Sequence, residues 1–378
     1  MVCGMRRLLA ALLTIIVSGW GTVDAARAQQ RVTAGANLVF YGDNTEFRNP
    51  FREGETIFGS AARLDAGLEI SDSTRITIGV FGNRRFGGSS FDVVRPVLAL
   101  TYAGRRSRFV FGTLDMPHPG RPAGPDQTGP HGLLPPLQRE TLAFERPYEA
   151  GLQWTFEGSR LRQESWLHWQ RLNTPDHRER FDAGGWATWR IRGPVTLPLQ
   201  GHVVHEGGQL FASGAVRDSL AVATGVAVSN HRRRTDDASV SVSGEQARSS
   251  PARITTTLEL FGLWSRYTPD RQMPQRTRNG AAFFGRAAIG TRGWRGHLIA
   301  WRGDDFVKDE GDPNYLSIRR DGSRYRGVRD YAEAGITRTI TLAPGALIET
   351  SFRFHRVERH YEYSYRVVGV AAVRSRVR

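Results

Sequence analysis

Apolar and polar residues alternate along most of this chain. Leu64, Ala66, Leu68 and Ile70 alternate with Arg63, Asp65, Gly67 and Glu69. After the turn Asp72-Ser73-Thr74, Ile76, Ile78 and Val80 alternate with Arg75, Thr77 and Gly79. The same period of two runs through Val94–Tyr102, Leu152–Phe156, Ile254–Trp264, Ile348–Phe354 and Tyr361–Val367. Successive side chains of a strand point to opposite faces, so each run predicts a strand with one apolar and one polar face. Neither helical heptads nor a sequence repeat of 20 to 50 residues accompanies it. Trp154, Trp264, Tyr102, Phe352, Phe354 and Tyr361 fall on the apolar faces, often near strand ends, as in the aromatic girdles of membrane barrels.

The connections alternate in length. Short ones include 72–74, 104–106, 158–159, 193–194, 292–293 and 343–345; long ones include 42–55, 114–149, 173–181, 206–218, 266–279 and 303–330. Short periplasmic turns and long outer loops are the habit of transmembrane barrels. Traced from Val32, the rule predicts sixteen strands, from 31–41 to 361–373, with 182–192, 252–265 and 331–342 among them and both ends periplasmic. The segment 230–251 is read as an irregular insertion.

The beginning of the chain fits export. Arg6 and Arg7 precede the apolar run Leu8–Val17, and Ala26-Arg27-Ala28 offers a small-x-small cleavage pattern. Residues 1–28 are therefore expected to be a signal peptide and 29–378 a single β-barrel domain. Cys3, the only cysteine, lies in the leader. The formal charge is +15; Arg6, Arg7 and Arg27 against Asp24 account for two of these, leaving +13 on the mature chain. Lys308 is the only lysine, so nearly all the basic charge is arginine, a fixed cation suited to carboxylates and phosphates.

Leader, strand pattern and loop alternation together make the chain resemble bacterial outer-membrane β-barrels of the general porin type. The resemblance covers 31–373 and is architectural. It implies an all-β fold: a closed antiparallel transmembrane barrel of about sixteen strands, in the outer membrane of a Gram-negative-type bacterium. The expected function is a passive channel for small hydrophilic solutes, anionic or neutral, and not an enzyme. The alternatives are an exporter of an anionic polysaccharide and a non-conducting adhesion or anchor barrel. Expected partners are outer-membrane lipid, lipopolysaccharide and the barrel-insertion machinery, with a homo-trimer by analogy. Nucleic acid is not expected, because the arginines are spread out. No cofactor is indicated. Many such barrels end on an aromatic residue, whereas this chain ends Arg376-Val377-Arg378, so the last strand either stops near Val373 or carries a degenerate insertion signal.

Candidate chemistry lies on the polar faces. Arg63, Arg75, Arg95, Arg108, Arg253, Arg353 and Arg366 share them with Asp65, Glu69, Glu157, Glu259, Glu349 and Glu362. As pore-lining residues this set would favour anions; as a salt-bridge ladder it would only stiffen the wall. The connection 114–149 is rich in proline, contains His118 and His131, and carries the apolar stretch Leu133-Leu134-Pro135-Pro136-Leu137. It is read either as folding into the barrel or as packing over the rim. The acidic segment 304–314 is read as a solvated loop rather than a calcium site. Arg319, Arg320, Arg324, Arg326 and Arg329 are candidate contacts for lipopolysaccharide phosphates. His168 and His297 have no serine at a telling separation. His202 with His205, and His355 with His360, stand at odd separations that point them to opposite faces.

Overall fold

The computed structural model describes residues 31–46, 49–115, 130–230, 254–291 and 293–377. The expected leader, Arg253, His118 and the insertion beyond Asn230 lie outside the described residues.

Sixteen strands form one closed barrel. They are β1 (Arg31–Glu46), β2 (Glu55–Glu69), β3 (Thr74–Arg85), β4 (Val93–Ala103), β5 (Ser107–Thr113), β6 (Ala150–Glu157), β7 (Leu161–Arg171) and β8 (Glu179–Arg192). The second half comprises β9 (Val195–Gly207), β10 (Arg217–Ser229), β11 (Thr255–Thr268), β12 (Arg278–Thr291), β13 (Trp294–Asp304), β14 (Val328–Ala343), β15 (Ala346–Val357) and β16 (His360–Val377). Each pairs antiparallel with its sequence neighbours, and β1 closes on β16 from Val32↔Val377 to Glu46↔Tyr363. β16 therefore continues past Val373. Several strands also run further outward than the alternation predicts, notably β1, because pairing on both sides holds the backbone extended after the apolar pattern has ended. A single four-residue helix, α1 (Leu142–Glu145), lies among the described connections.

The wall has the predicted polarity. Leu64, Leu98, Leu258, Phe352 and Tyr361 are exposed on the outer surface, as are Trp154 and Trp264. No helix among the described residues is long and apolar enough to cross a bilayer; the strands do so.

The outer half of the lumen is filled. Leu133, Leu134 and Leu137 of the 114–149 connection are buried together with Phe306 and Tyr315 of the 305–327 connection and Phe51 of the 49–54 connection. They pack against inward wall residues Trp166, Phe261, Leu263, Phe284, Ile299, Trp301 and Tyr331. Each fully buried side chain of this size stabilises the packing by roughly 1.5–3 kcal/mol. The described part of this connection, 130–149, thus folds into the barrel rather than over its rim. The two longer connections are also joined by backbone hydrogen bonds, Arg139 N to Glu310 O at 2.7 Å and Asp312 N to Pro135 O at 2.9 Å. Gly311 makes this approach possible, since a Cβ there would come within 2.4 Å of the Pro136 carbonyl oxygen.

Candidate functional site

The predicted polar-face residues separate into two levels. Near the periplasmic end, Arg63, Arg75, Arg108 and Glu69 line a cavity of about 350 Å³ with Arg31, Arg374 and Arg376. Asp65 faces three arginines there: Arg63 at 3.1 Å, Arg374 at 3.2 Å and Arg75 at 3.8 Å. Arg108 pairs with Asp115. Glu259 and Arg286 form a buried pair, and Glu349 accepts from Thr339 at 3.3 Å. Glu157 pairs with Arg162 at 2.7 Å and is exposed, as is Arg95.

At the outer level the loops bring the partners. Glu140 sits between Arg353, at 2.7 Å, and Arg366, at 2.9 Å; Arg366 also meets Asp43 at 2.6 Å. Burial would raise the Glu140 carboxyl, but the two guanidinium groups outweigh it and pull it down to about 2. Glu362 accepts from Asn49 at 3.0 Å. His131 lies between Glu149, at 2.7 Å, and Glu164, at 2.8 Å, stacked on Trp166. Burial would lower this imidazole, yet the two carboxylates raise it to about 10. The acidic segment is not a solvated loop: Glu310 is buried against Arg146 at 2.8 Å and Arg180 at 3.0 Å. Arg329 is likewise no lipopolysaccharide contact, being wholly buried with its guanidinium 3.2 Å above the Phe51 ring.

Two arrangements have the chemistry of ester cleavage. The first faces the lumen. His355 Nε2 lies 2.8 Å from Ser364 Oγ, and its Nδ1 lies 2.7 Å from the Tyr331 hydroxyl and 3.4 Å from Glu333. Tyr331 donates to Glu333 at 2.5 Å, so it accepts from His355 Nδ1–H, and the Nε2 lone pair is turned to the serine O–H. A nucleophile, a base and an orienting acid are thus in sequence. Glu333 also meets His297 at 2.7 Å. A search by separation along the chain misses this pair. The signal available was the short hairpin turn near 358–359, which sets His355 opposite Glu362 and diagonal to Ser364.

The second arrangement lies on the outward face of the wall, at the outer end of β1, with Asn44 buried among the exposed Glu46, Thr56 and Tyr365. Thr56 donates to Asn44 Oδ1 at 2.5 Å, and the Asn44 amide donates to Glu46 at 2.6 Å and to the Tyr365 hydroxyl at 2.7 Å. Asn44, Thr56 and Tyr365 share the outward parity of the exposed Phe40, Phe58 and Tyr363. Gly42 fits this surface because Phe58 lies across it, within 2.6 Å of any Cβ placed there. The cluster escaped the sequence because 42–55 reads as a loop.

A closed sixteen-stranded barrel with an apolar belt places the protein among the outer-membrane β-barrels. A loop L8 deletion mutant of OmpT, an outer membrane protein of Vibrio cholerae, matches with a TM-score of 0.53 at 9% identity, over 91% of this chain and 99% of that one. An anion-selective porin from Comamonas acidovorans matches with a TM-score of 0.51 at 10% identity, over 91% and 100%. Both likenesses concern the fold. No curated protein matches the chain in sequence.

The chain belongs to the lipid A 3′-O-deacylase-type family, whose model matches residues 23–368. This corrects the expectation that the protein is not an enzyme: the family is an enzyme family, and strand alternation carries no trace of the few residues that would do the chemistry.

Proposed function

We propose that the protein hydrolyses an acyl ester of a lipid A-type glycolipid in the outer leaflet, at Asn44, Glu46, Thr56 and Tyr365. The observation that carries the reading is this hydrogen-bonded cluster on the lipid-facing wall, beside the outward tyrosines of β16. Aromatic residues of that kind mark the membrane interface, the level at which a glycolipid's acyl esters lie. A membrane lipid reaches this face by lateral diffusion, without entering the barrel.

Glu46 accepts the proton of a water that attacks the ester carbonyl. Tyr365 already accepts from Asn44, so its own O–H donates to the oxyanion as it forms. When the intermediate collapses, the sugar oxygen leaves with the proton held by Glu46, giving a free fatty acid and a deacylated glycolipid. Asn44 positions both groups, and Thr56 fixes the Asn44 amide.

A second reading places the same hydrolysis at Ser364, supported by the Ser364–His355–Glu333 array. Fatty-acid release from lipopolysaccharide vesicles, followed by mass spectrometry, separates the two. Glu46→Gln and Tyr365→Phe should each lower the rate by about 10²-fold or more, and Ser364→Ala should leave it intact. Loss with Ser364→Ala alone transfers the chemistry to the lumen, and no release from folded wild type rejects both. Diffusion of small anionic solutes is supported by the arginine-rich periplasmic cavity and opposed by the filled outer half.

A further inference from the structure

Inward residues of three adjacent strands and one loop converge on a second buried cluster, remote in chemistry from either ester site. Asp182 of β8, His202 of β9 and Glu310 of the 305–327 connection each offer a ligand atom, all within 4.8 Å of one another. His168 of β7 stands beside them, its Nδ1 4.0 Å from Asp182 Oδ1. His202 Nε2 is 4.0 Å from Asp182 Oδ2. Four buried atoms here have no hydrogen-bond partner among the described residues: His168 Nδ1, Asp182 Oδ1, His202 Nε2 and Glu310 Oε2. Leaving one such atom unpaired is costly, and four on neighbouring residues is unusual.

The surrounding bonds orient these atoms. His202 Nδ1 lies 3.1 Å from the Leu137 carbonyl oxygen and donates to it, so in the neutral ring the Nε2 lone pair faces the cluster. Glu310 Oε1 is held by Arg146, by Arg180 and by Gln170 at 3.2 Å, which turns Oε2 inward. Gln170 also donates to Asp182 Oδ2 at 3.0 Å, leaving Oδ1 for the cluster. The nearby Lys308 ammonium donates to the Asp309 carbonyl at 2.6 Å.

We infer that Asp182, His202, Glu310 and His168 bind one divalent transition-metal ion of the zinc class, which fastens the 305–327 connection to the wall. Two imidazole nitrogens with two carboxylate oxygens suit such an ion better than calcium or magnesium, which take oxygen ligands alone. Bonds of about 2.0–2.2 Å put tetrahedral ligands roughly 3.4 Å apart, so the mutually close atoms of Asp182, His202 and Glu310 draw in by about an ångström or less, and the His168 ring, with Nδ1 4.0 Å from Asp182 Oδ1, turns in to complete the site. Three of the ligands come from the rigid wall and the fourth from the loop.

The test uses full-length protein purified folded from membranes. Elemental analysis should find one equivalent of zinc per chain. After chelation, Co²⁺ should restore one equivalent with the visible absorption of a tetrahedral site. His202→Gln and Glu310→Gln should weaken Co²⁺ binding by at least about tenfold, while His205→Gln, three residues away on β9, should not. Heat-modifiable gel mobility reports whether each variant is folded. Loss of metal should also speed proteolysis within 305–327, a readout independent of hydrolysis. Folded wild type that holds no metal and gives no Co²⁺ spectrum overturns the inference and makes the cluster a hydrated polar pocket. Binding unchanged in both His202→Gln and Glu310→Gln overturns it equally.

Discussion

In its outer half the barrel is packed like the interior of a soluble protein, whereas its periplasmic half opens into an arginine-lined cavity. The wall strands are the same in both halves and so is the alternation. What differs is the source of the countercharge. Above, loop carboxylates reach the wall: Glu140 meets Arg353 and Arg366, and Glu310 meets Arg180. Below, a few wall carboxylates are shared among many arginines, with Asp65 alone facing three. The cavity at the periplasmic end is therefore lined by more arginines than carboxylates. An inward arginine is a potential ion contact only where no loop has come down to meet it.

Cutting away 132–140 and 306–325 breaks the contrast most severely. The outer half should then resemble the periplasmic one, and planar-bilayer conductance should rise several-fold over that of the intact protein. In that variant, Arg63→Glu with Arg75→Glu should move the reversal potential towards cations. If the intact protein already conducts as well as the shortened one, the loops do not obstruct the lumen, and the comparison between the halves loses its meaning.

Much of this was legible from residues alone. The period of two marked the clearest strands, because lipid on one side forces every other residue to be apolar, and the alternation of short and long connections carried the trace to sixteen. The outward girdle aromatics followed for the same reason. The filling of the lumen was less visible, although β13 carried a sign of it: Leu298 and Ala300 are apolar outward, yet Ile299 and Trp301 are apolar inward. Apolar residues on both faces mean a strand covered on both sides. The ester-cleaving candidates were less legible still. Ser364 and His355 meet through hairpin register, and Asn44 and Thr56 through strand pairing that outlasts the hydrophobic pattern. Neither is expressed as a fixed spacing in sequence.

Single substitutions should grade the same contrast. Leu134→Ala, in the packed half, should cost about 2–5 kcal/mol through the cavity it leaves. Glu140→Gln should cost about 2–3 kcal/mol, because it leaves two arginines facing each other; their partial exposure keeps the loss below that of a fully buried pair. Arg63→Ala, in the open half, should cost less than about 1 kcal/mol. Chemical unfolding of the refolded protein in detergent measures all three. Equal losses for Leu134→Ala and Arg63→Ala would mean that the two halves are held by the same forces after all.

The mildest perturbation is pH, and it acts on the 130–149 segment from opposite directions. His131 is raised above its ordinary 6.5 to about 10, so its bonds to Glu149 and Glu164 contribute fully below 6.5 and fade as pH rises through about 10. Glu140 is lowered from 4.5 to about 2, so its contribution is complete above 4.5 and lost as pH falls through about 2. The segment should be best held between those ordinary values and loosen first on the alkaline side for want of His131. Trp166 stacks on His131 with ring centroids 3.7 Å apart, and it reports the change directly. Tryptophan fluorescence should show an alkaline transition near 10 that is missing in His131→Gln. An unaltered transition in that variant would take the histidine out of the latch and leave the segment held by its leucines alone, with no pH dependence of its own on the alkaline side.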